Sequence, residues 1–552
     1  MRIRKIPKSK GLLLAIVIIA SILRLWHLGS IPPGLTPDEA SLGYNAYSIL
    51  KTGKDEFGKV LPIVFKSFGD YKPGLYVYLD VPFVAILGLN EFSTRLPSAL
   101  AGILVVYLIY TIAGKLFSKQ RLVPLMAALI AATNPWLIYF SRGAWEANIS
   151  LALTLTGTYF FLKAMQNPKY LIASSVAFAS TFLTYQGAKL STFIVLLILT
   201  IIYRKECKKL LNNKKNLAIS VVLGLIIFLP IVIGLFKGQA ARLGVFSAFT
   251  YHRPHEYILN ILDQGQEKVG SLSYNLFHTE GLNFVRVILG HYFNHFSGRF
   301  LLFEGDWQNP RHSAPNSGMM LLSNIFLLVF GLVCLIKSDK VNSKSRLLFL
   351  LWLFLAPLPS ALSRDQVHAV RSFNMVVPII IVGAFGLNYF FAWVSKQKSR
   401  LLLFILFWVL YVGSLIYFLD SYFVHLAKHN SQLWEYGYKQ VVETVFPIQS
   451  NYEKVIVQQS FEQPYIYFLF FEKYDPVKFQ QRDVWIESDF KGDVGFTEIN
   501  WPVESKKSGY LLIGPPVKIS ETDVLNNDSV NLIREIKYLN DRDTAFRIVE
   551  VK

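Results

Sequence analysis

Long apolar runs separated by short basic loops constrain this chain more than any other feature. Stretches such as 11–28, 217–236 and 401–419 carry almost no charge. Each is long enough to cross a hydrocarbon core of roughly 30 Å as a helix. Hydrophobic residues make up 53% of the 552-residue chain and aromatic residues 15%, far above a soluble globular composition. The formal charge of +19 raises nucleic acid as a partner. The lysines and arginines, however, sit in loops between apolar runs and not on one aromatic-interleaved face. That placement is the positive-inside bias of membrane topology, so no nucleic-acid partner is expected.

Apolar spans fall near 11–28, 94–117, 122–140, 147–164, 170–186, 189–203, 216–236, 319–336, 346–362, 372–393 and 401–419. One further run, 74–89, is ambiguous. If it spans, the basic loops 204–215 and 396–400 fall outside, against the charge rule. If it lies in the interface or re-enters, every strongly basic loop (119–121, 204–215, 337–346, 396–400) shares the inner side with the N-terminus. The fold expected is therefore an all-α polytopic membrane protein of about eleven spans in a cell membrane. The basic start followed by an apolar run lacks a small-residue cleavage site and reads as an uncleaved first span. Cys207 and Cys334 fall toward the reducing side, so no disulfide is expected.

This topology places 29–93, 237–318 and everything after about Asp420 on the outer face. Residues 1–419 form the membrane domain. Residues 420–552 change character, with β-like runs at 454–459, 510–513 and 546–551 and turn dipeptides such as Asn527-Asp528. They read as a small extracytoplasmic α/β domain without a phosphate-cradling glycine loop.

Ionisable residues beside spans are costly enough to be functional candidates. Thr36-Pro37-Asp38-Glu39 opens with two acids. One reading is a helix start: Thr as cap, Pro at the first helical position and Glu three residues after the Thr. The other is a carboxylate fixed beside the membrane to act as a base. In Gly69-Asp70-Tyr71-Lys72-Pro73, Lys72 either reaches headgroups or meets a lipid phosphate, and Arg95 has the same two readings. Arg142 and Glu146 stand four apart, the spacing of a helix-start ion pair. With Asp38, Asp70 and Lys72 on the same face they suggest a polar cavity. Later loops add Glu304, Asp306, Arg311, His312, Arg364, Asp365, His368 and Arg371.

Taken together, the basic-flanked first helix, the Asp38-Glu39 pair, Lys72-Pro73 followed by aromatic and apolar residues, and Arg95-Leu96-Pro97-Ser98-Ala99-Leu100-Ala101-Gly102 resemble the polytopic glycosyltransferases of the protein O-mannosyltransferase and aminoarabinose transferase type. The resemblance implies a GT-C fold, a polyprenyl-phosphate sugar as donor, and inverting transfer to a protein, lipid or glycan acceptor on the outer face. Residue by residue, it implies Asp38 as the base and Glu39 as its support, with Lys72 at the donor phosphate. Arg311, His312, His368 and Arg371 have a general counterpart as basic residues that hold that phosphate. Glu146 stands where the aminoarabinose branch has an aspartate, which leaves a divalent metal open; no other cofactor is implied. The chemistry is coherent, since a lipid phosphate is a good leaving group that needs only a base opposite and cations beside it. A transporter or flippase also uses many spans and buried charges, and a surface-polysaccharide polymerase or ligase has similar topology; both remain alternatives at this stage.

Overall fold

The computed structural model describes residues 8–236, 247–250, 252–460, 463–481 and 494–552. The basic residues before Lys8 and the opening of the outer loop at Lys237 lie outside them. A helix stands at each of the eleven apolar runs, from Lys8–Leu25 to Arg400–Asp420. Among the described residues, five helices are long and apolar enough to cross a membrane, six if one bent pair counts as a span. That pair, Val123–Thr133 and Pro135–Ser141, turns by 56°. Pro135 has no amide to continue the ladder, and Asn134 caps the second segment, its side-chain oxygen accepting from the Leu137 amide at 3.0 Å. The ambiguous run 74–89 is a helix over Leu75–Leu87. At 13 residues it falls well short of the roughly 20 that a span needs.

Two compact units divide the chain. The first comprises 1–20, 103–139 and 147–418; the second comprises 21–102, 140–146 and 419–552. In the first unit, Asn324–Lys337 packs along Val376–Val394 through glycines. A Cβ on Gly331 would collide with the Val382 carbonyl, and one on Gly386 with the Leu327 carbonyl. Membrane helices associate through such close backbone approach, because lipid offers no hydrophobic drive between them.

In the second unit, the C-terminal segment builds a five-stranded mixed sheet in the order β4-β3-β5-β7-β6, with β3 Lys454–Gln458, β4 Val494–Thr497, β5 Tyr510–Gly514, β6 Val530–Lys537 and β7 Thr544–Val551. The sequence-predicted β-like runs are β3, β5 and β7. β3 runs parallel to both β4 and β5, whereas β7 is antiparallel to β5 and β6. Val455, Ile456 and Val457 are all buried, the continuous apolar pattern of a strand covered on both faces. Ile456, Leu512, Val549, Ile499 and Ile519 form one core on it.

The same unit holds a two-stranded hairpin from the loop after the first helix, β1 Val64–Ser67 and β2 Asp70–Pro73. Phe68 and Gly69 both take positive φ at its turn, the conformation a two-residue hairpin loop requires. The C-terminal segment fastens onto this loop. Tyr467 Oη donates to the Leu35 carbonyl at 3.1 Å, and Tyr44 Oη to the Tyr474 carbonyl at 3.1 Å. The Gln480 amide donates to Ser48 and Thr52 at 3.0 Å each and to the Asp55 carbonyl at 2.9 Å. The C-terminal segment and the loop after the first helix thus belong to one compact unit.

Candidate active site

In the second unit the site begins at a helix start. Pro37–Thr52 is capped by Thr36, whose hydroxyl accepts from the Glu39 amide at 3.2 Å while the Thr36 amide donates to the Glu39 carboxylate at 3.0 Å. The capping box is therefore present, and it separates the two acids. Glu39 is 4% exposed. Beyond the cap it accepts from Arg95 Nε at 3.0 Å, Arg95 Nη2 at 3.2 Å and the Ala144 amide at 2.8 Å. Asp38 instead leaves 58% of its side chain exposed and forms an ion pair with Lys72.

Lys72 comes from β2, opposite Phe65 in the hairpin register. Its side chain is 9% exposed, and its ammonium lies 5.2 Å from the centre of the Phe68 ring. Gly74 lets the chain pass this close, since a Cβ there would strike Phe65. A buried cation thus holds an exposed carboxylate at a capped helix start, and the pair can offer a positive and a negative group to one incoming reaction centre. Asp70 sits at the hairpin turn, half-buried, paired across it with Ser67.

Two charges of this unit are placed otherwise than the sequence suggested. Arg95 is wholly buried; besides Glu39 it donates to the carbonyls of Leu28 at 3.1 Å and Pro32 at 2.9 Å, and to that of Gly34. Its charge is consumed in holding the chain just after the first helix, so it neither anchors to headgroups nor meets a phosphate. Arg142 and Glu146 do not share one helix: Arg142 lies in a bend, and the helix Glu146–Ala164 begins after it. Buried Arg142 donates to the Leu23 and Ile31 carbonyls at 3.1 Å each and stacks over Phe423 at 4.7 Å. Without a continuous helix the four-residue spacing no longer sets two side chains on one face.

Glu56 escaped the sequence reading. It is fully buried, its carboxylate accepts from the Asn45 amide group at 3.2 Å, and its backbone amide donates to the Asn45 side chain at 3.0 Å. Burial, reinforced by Asp55 and opposed by Asn45, Lys72 and Lys66, pushes its carboxyl up to about 8. Nothing in a lone loop glutamate signals this; the Gln480 amide, far along the chain, donates to the carbonyl of the neighbouring Asp55 at 2.9 Å.

A second cluster lies in the first unit. Asp306, fully buried, accepts from the Asn309 amide at 3.0 Å, its side chain at 3.2 Å and the Ala369 amide at 2.8 Å. Its Oδ2 also stands 2.9 Å from His312 Nδ1. The His312 and His368 rings lie 4.9 Å apart. Burial, then the nearby Arg371 charge, drives the His368 imidazole well below its ordinary value. Arg371 pairs with Asp365 at 2.5 Å, and Arg311 is half-buried, its carbonyl accepting from Tyr139 Oη at 2.7 Å. The four residues expected at a phosphate are thus gathered in one unit. One ligand atom from each of Asp306, His312 and His368 lies within 4.8 Å of the others, a grouping that spacing within the sequence did not single out.

The model of the family described as dolichyl-phosphate-mannose-protein mannosyltransferase matches residues 72–233. That range holds Lys72, Arg142 and Glu146; Asp38, Glu39 and the later basic loops lie outside it. No curated protein sequence matches the chain. Among solved structures, ArnT from Cupriavidus metallidurans bound to undecaprenyl phosphate superposes with a TM-score of 0.56 at 14% identity, covering 98% of this chain and 98% of that one. Its apo state gives 0.53 over the same shares, again at 14% identity. The archaeal oligosaccharyltransferase AglB from Archaeoglobus fulgidus, in complex with an inhibitory peptide and a dolichol-phosphate, gives 0.51 at 11% identity over 83% of this chain and 63% of that one. At such identities the likeness is one of fold. The chain is thus similar over residues 72–233 to the dolichyl-phosphate-mannose-protein mannosyltransferases, and along nearly its whole length it shares the fold of ArnT.

Proposed function

We propose that the protein transfers a sugar, with inversion, from a polyprenyl-phosphate donor to an acceptor on the extracytoplasmic face, with Asp38 as the base and Lys72 at the donor phosphate. The observation that carries this reading is the pair itself: an exposed carboxylate held by a buried ammonium at a capped helix start. A donor phosphate competes for Lys72, and an ammonium that turns to it stabilises the charge left when the glycosidic bond breaks. Asp38 then takes the proton of the attacking hydroxyl. Glu39 is a positioning residue, locking the helix start through Arg95 and Ala144.

Arg311 and Arg371 are the candidates for further charge on the phosphate, with His312 and His368 beside them. Asp70, Arg142 and Glu146 support the polar surroundings of the pair. The binding of undecaprenyl phosphate by ArnT and of a dolichol-phosphate by AglB supports a lipid-phosphate donor here. The reading also takes about eleven spans, an inner N-terminus and an outer domain over 420–552, supported by the basic loops and by a helix at each apolar run. The inner basic loops suit a plasma or inner membrane.

The test is transfer of radiolabelled sugar from a panel of polyprenyl-phosphate sugars to membrane extracts. The expected result is transfer by the wild type and a loss of at least about 10²-fold in Asp38→Asn, with Lys72→Met raising the donor KM. Undiminished transfer by Asp38→Asn returns that residue to a helix-start acid. No transfer from any donor overturns the donor class.

A further inference from the structure

We propose that Asp306, His312 and His368 bind one divalent cation of the zinc class, joining the loop before the helix Asn324–Lys337 to the loop before Val376–Val394. The three side chains are buried, and one ligand atom of each lies within 4.8 Å of the others. A tetrahedral zinc with nitrogen and oxygen ligands holds them about 3.3 Å apart, as bond lengths of about 2.0–2.2 Å dictate. Asp306 Oδ2 and His312 Nδ1 already stand 2.9 Å apart, so an ion replaces the proton between them with a few tenths of an ångström of opening. His368 must close by up to about 1.5 Å, from the 4.8 Å limit to the spacing that zinc bond lengths set.

Two imidazoles with one carboxylate suit zinc, cobalt or nickel; magnesium and calcium prefer all-oxygen sets. The ligand-bearing backbone is held independently of any ion. Asp306 is oriented by the Asn309 and Ala369 amides. The Trp136 indole donates to the Ala369 carbonyl at 3.2 Å, and Tyr139 holds the Arg311 carbonyl. Such outer partners are what fix ligands at metal sites. A plain carboxylate–imidazole hydrogen bond accounts for Asp306 and His312 but not for His368. The ring of His368 makes one hydrogen bond, a long one of 3.4 Å from the Arg371 amide to Nδ1, although the residue is only 9% exposed. Three ligands leave a fourth position for water or an anionic oxygen.

The experiment needs no sugar donor, so its outcome is separable from that of the transferase reading. The full chain, purified in detergent and stripped with a chelator, is titrated with Zn²⁺, and with Co²⁺ as a spectroscopic probe; bound metal is counted by mass spectrometry. The expected result is one equivalent per chain, visible cobalt bands, and a raised apparent Tm with zinc but not with magnesium. His312→Gln and His368→Gln should each weaken binding at least about tenfold while remaining monodisperse. Should His312→Gln fail to fold, His368→Gln still decides the matter, because its ring contributes only one long hydrogen bond. A stripped wild type that takes up no zinc at micromolar concentration overturns the site, and so does equal uptake by wild type and His368→Gln.

Discussion

Replacing Glu39 by alanine should cost the protein its stability, whereas replacing its neighbour Asp38 should not. The Glu39 carboxylate, 4% exposed, accepts from the Thr36 amide, the Ala144 amide and two nitrogens of Arg95. Its removal strands a fully buried guanidinium and two amides. Breaking a buried ion pair from one side costs about 3–5 kcal/mol, and each orphaned amide adds roughly 1 kcal/mol or more. Arg95 keeps the Leu28 and Pro32 carbonyls, which holds the total near 4–5 kcal/mol. That is on the order of a thousandfold in the folding equilibrium. At roughly 2–4 °C per kcal/mol for a large domain, the apparent Tm falls by about 10 °C or more. Asp38→Asn loses an ion pair whose acid is 58% exposed, worth about 0–1 kcal/mol, and should melt within roughly 3 °C of wild type. The assay is the fraction remaining monodisperse on size exclusion after heating in detergent. Glu39→Ala melting with the wild type, or Asp38→Asn falling as far as Glu39→Ala, would refute the division of labour between the two acids.

Two further outcomes follow from buried groups. The Glu56 carboxyl is raised from 4.5 to about 8 chiefly by burial, so the folded state holds its proton more tightly than the unfolded chain does. Its contribution is complete below pH 4.5 and lost as pH rises through about 8. Wild-type apparent Tm should therefore drop between about pH 5 and pH 9, and Glu56→Gln should flatten that drop; equal slopes for the two proteins contradict the burial argument. At the glycine-mediated helix contact, Gly386→Ala drives a methyl into the Leu327 carbonyl and should cost about 1–3 kcal/mol. Gly413→Ala, where a Cβ meets nothing within 4 Å, should be nearly neutral in the same melting assay.

Much of the fold was legible in the one-dimensional pattern. Apolar runs bounded by basic loops are dictated by the lack of water in the bilayer, and each run is a helix in the structure. The Thr36-Pro37-x-Glu39 start is a local device, readable because its hydrogen bonds span only three residues. The hairpin turn at Phe68-Gly69 and the three strands β3, β5 and β7 are equally local. Chain sequence therefore determined which segments are helices, which are strands, and that ionisable residues lie beside the apolar runs.

What residues do within those segments was decided by partners far away in the chain. Adjacent Asp38 and Glu39 open the same helix, yet Arg95 and Ala144 engage the buried Glu39 while Asp38 stays exposed beside Lys72. Arg142 and Glu146 have helix-pair spacing, but the bend at Arg142 removes the helix that spacing assumes. Burial above all pushes the Glu56 carboxyl up to about 8, and Asp306 meets His368 across 62 residues of sequence without any shared motif. Periodicity records how a segment meets its solvent, and so can be read along the chain. The dielectric and partners of a buried charge are properties of three-dimensional packing, and only the tertiary structure supplies them.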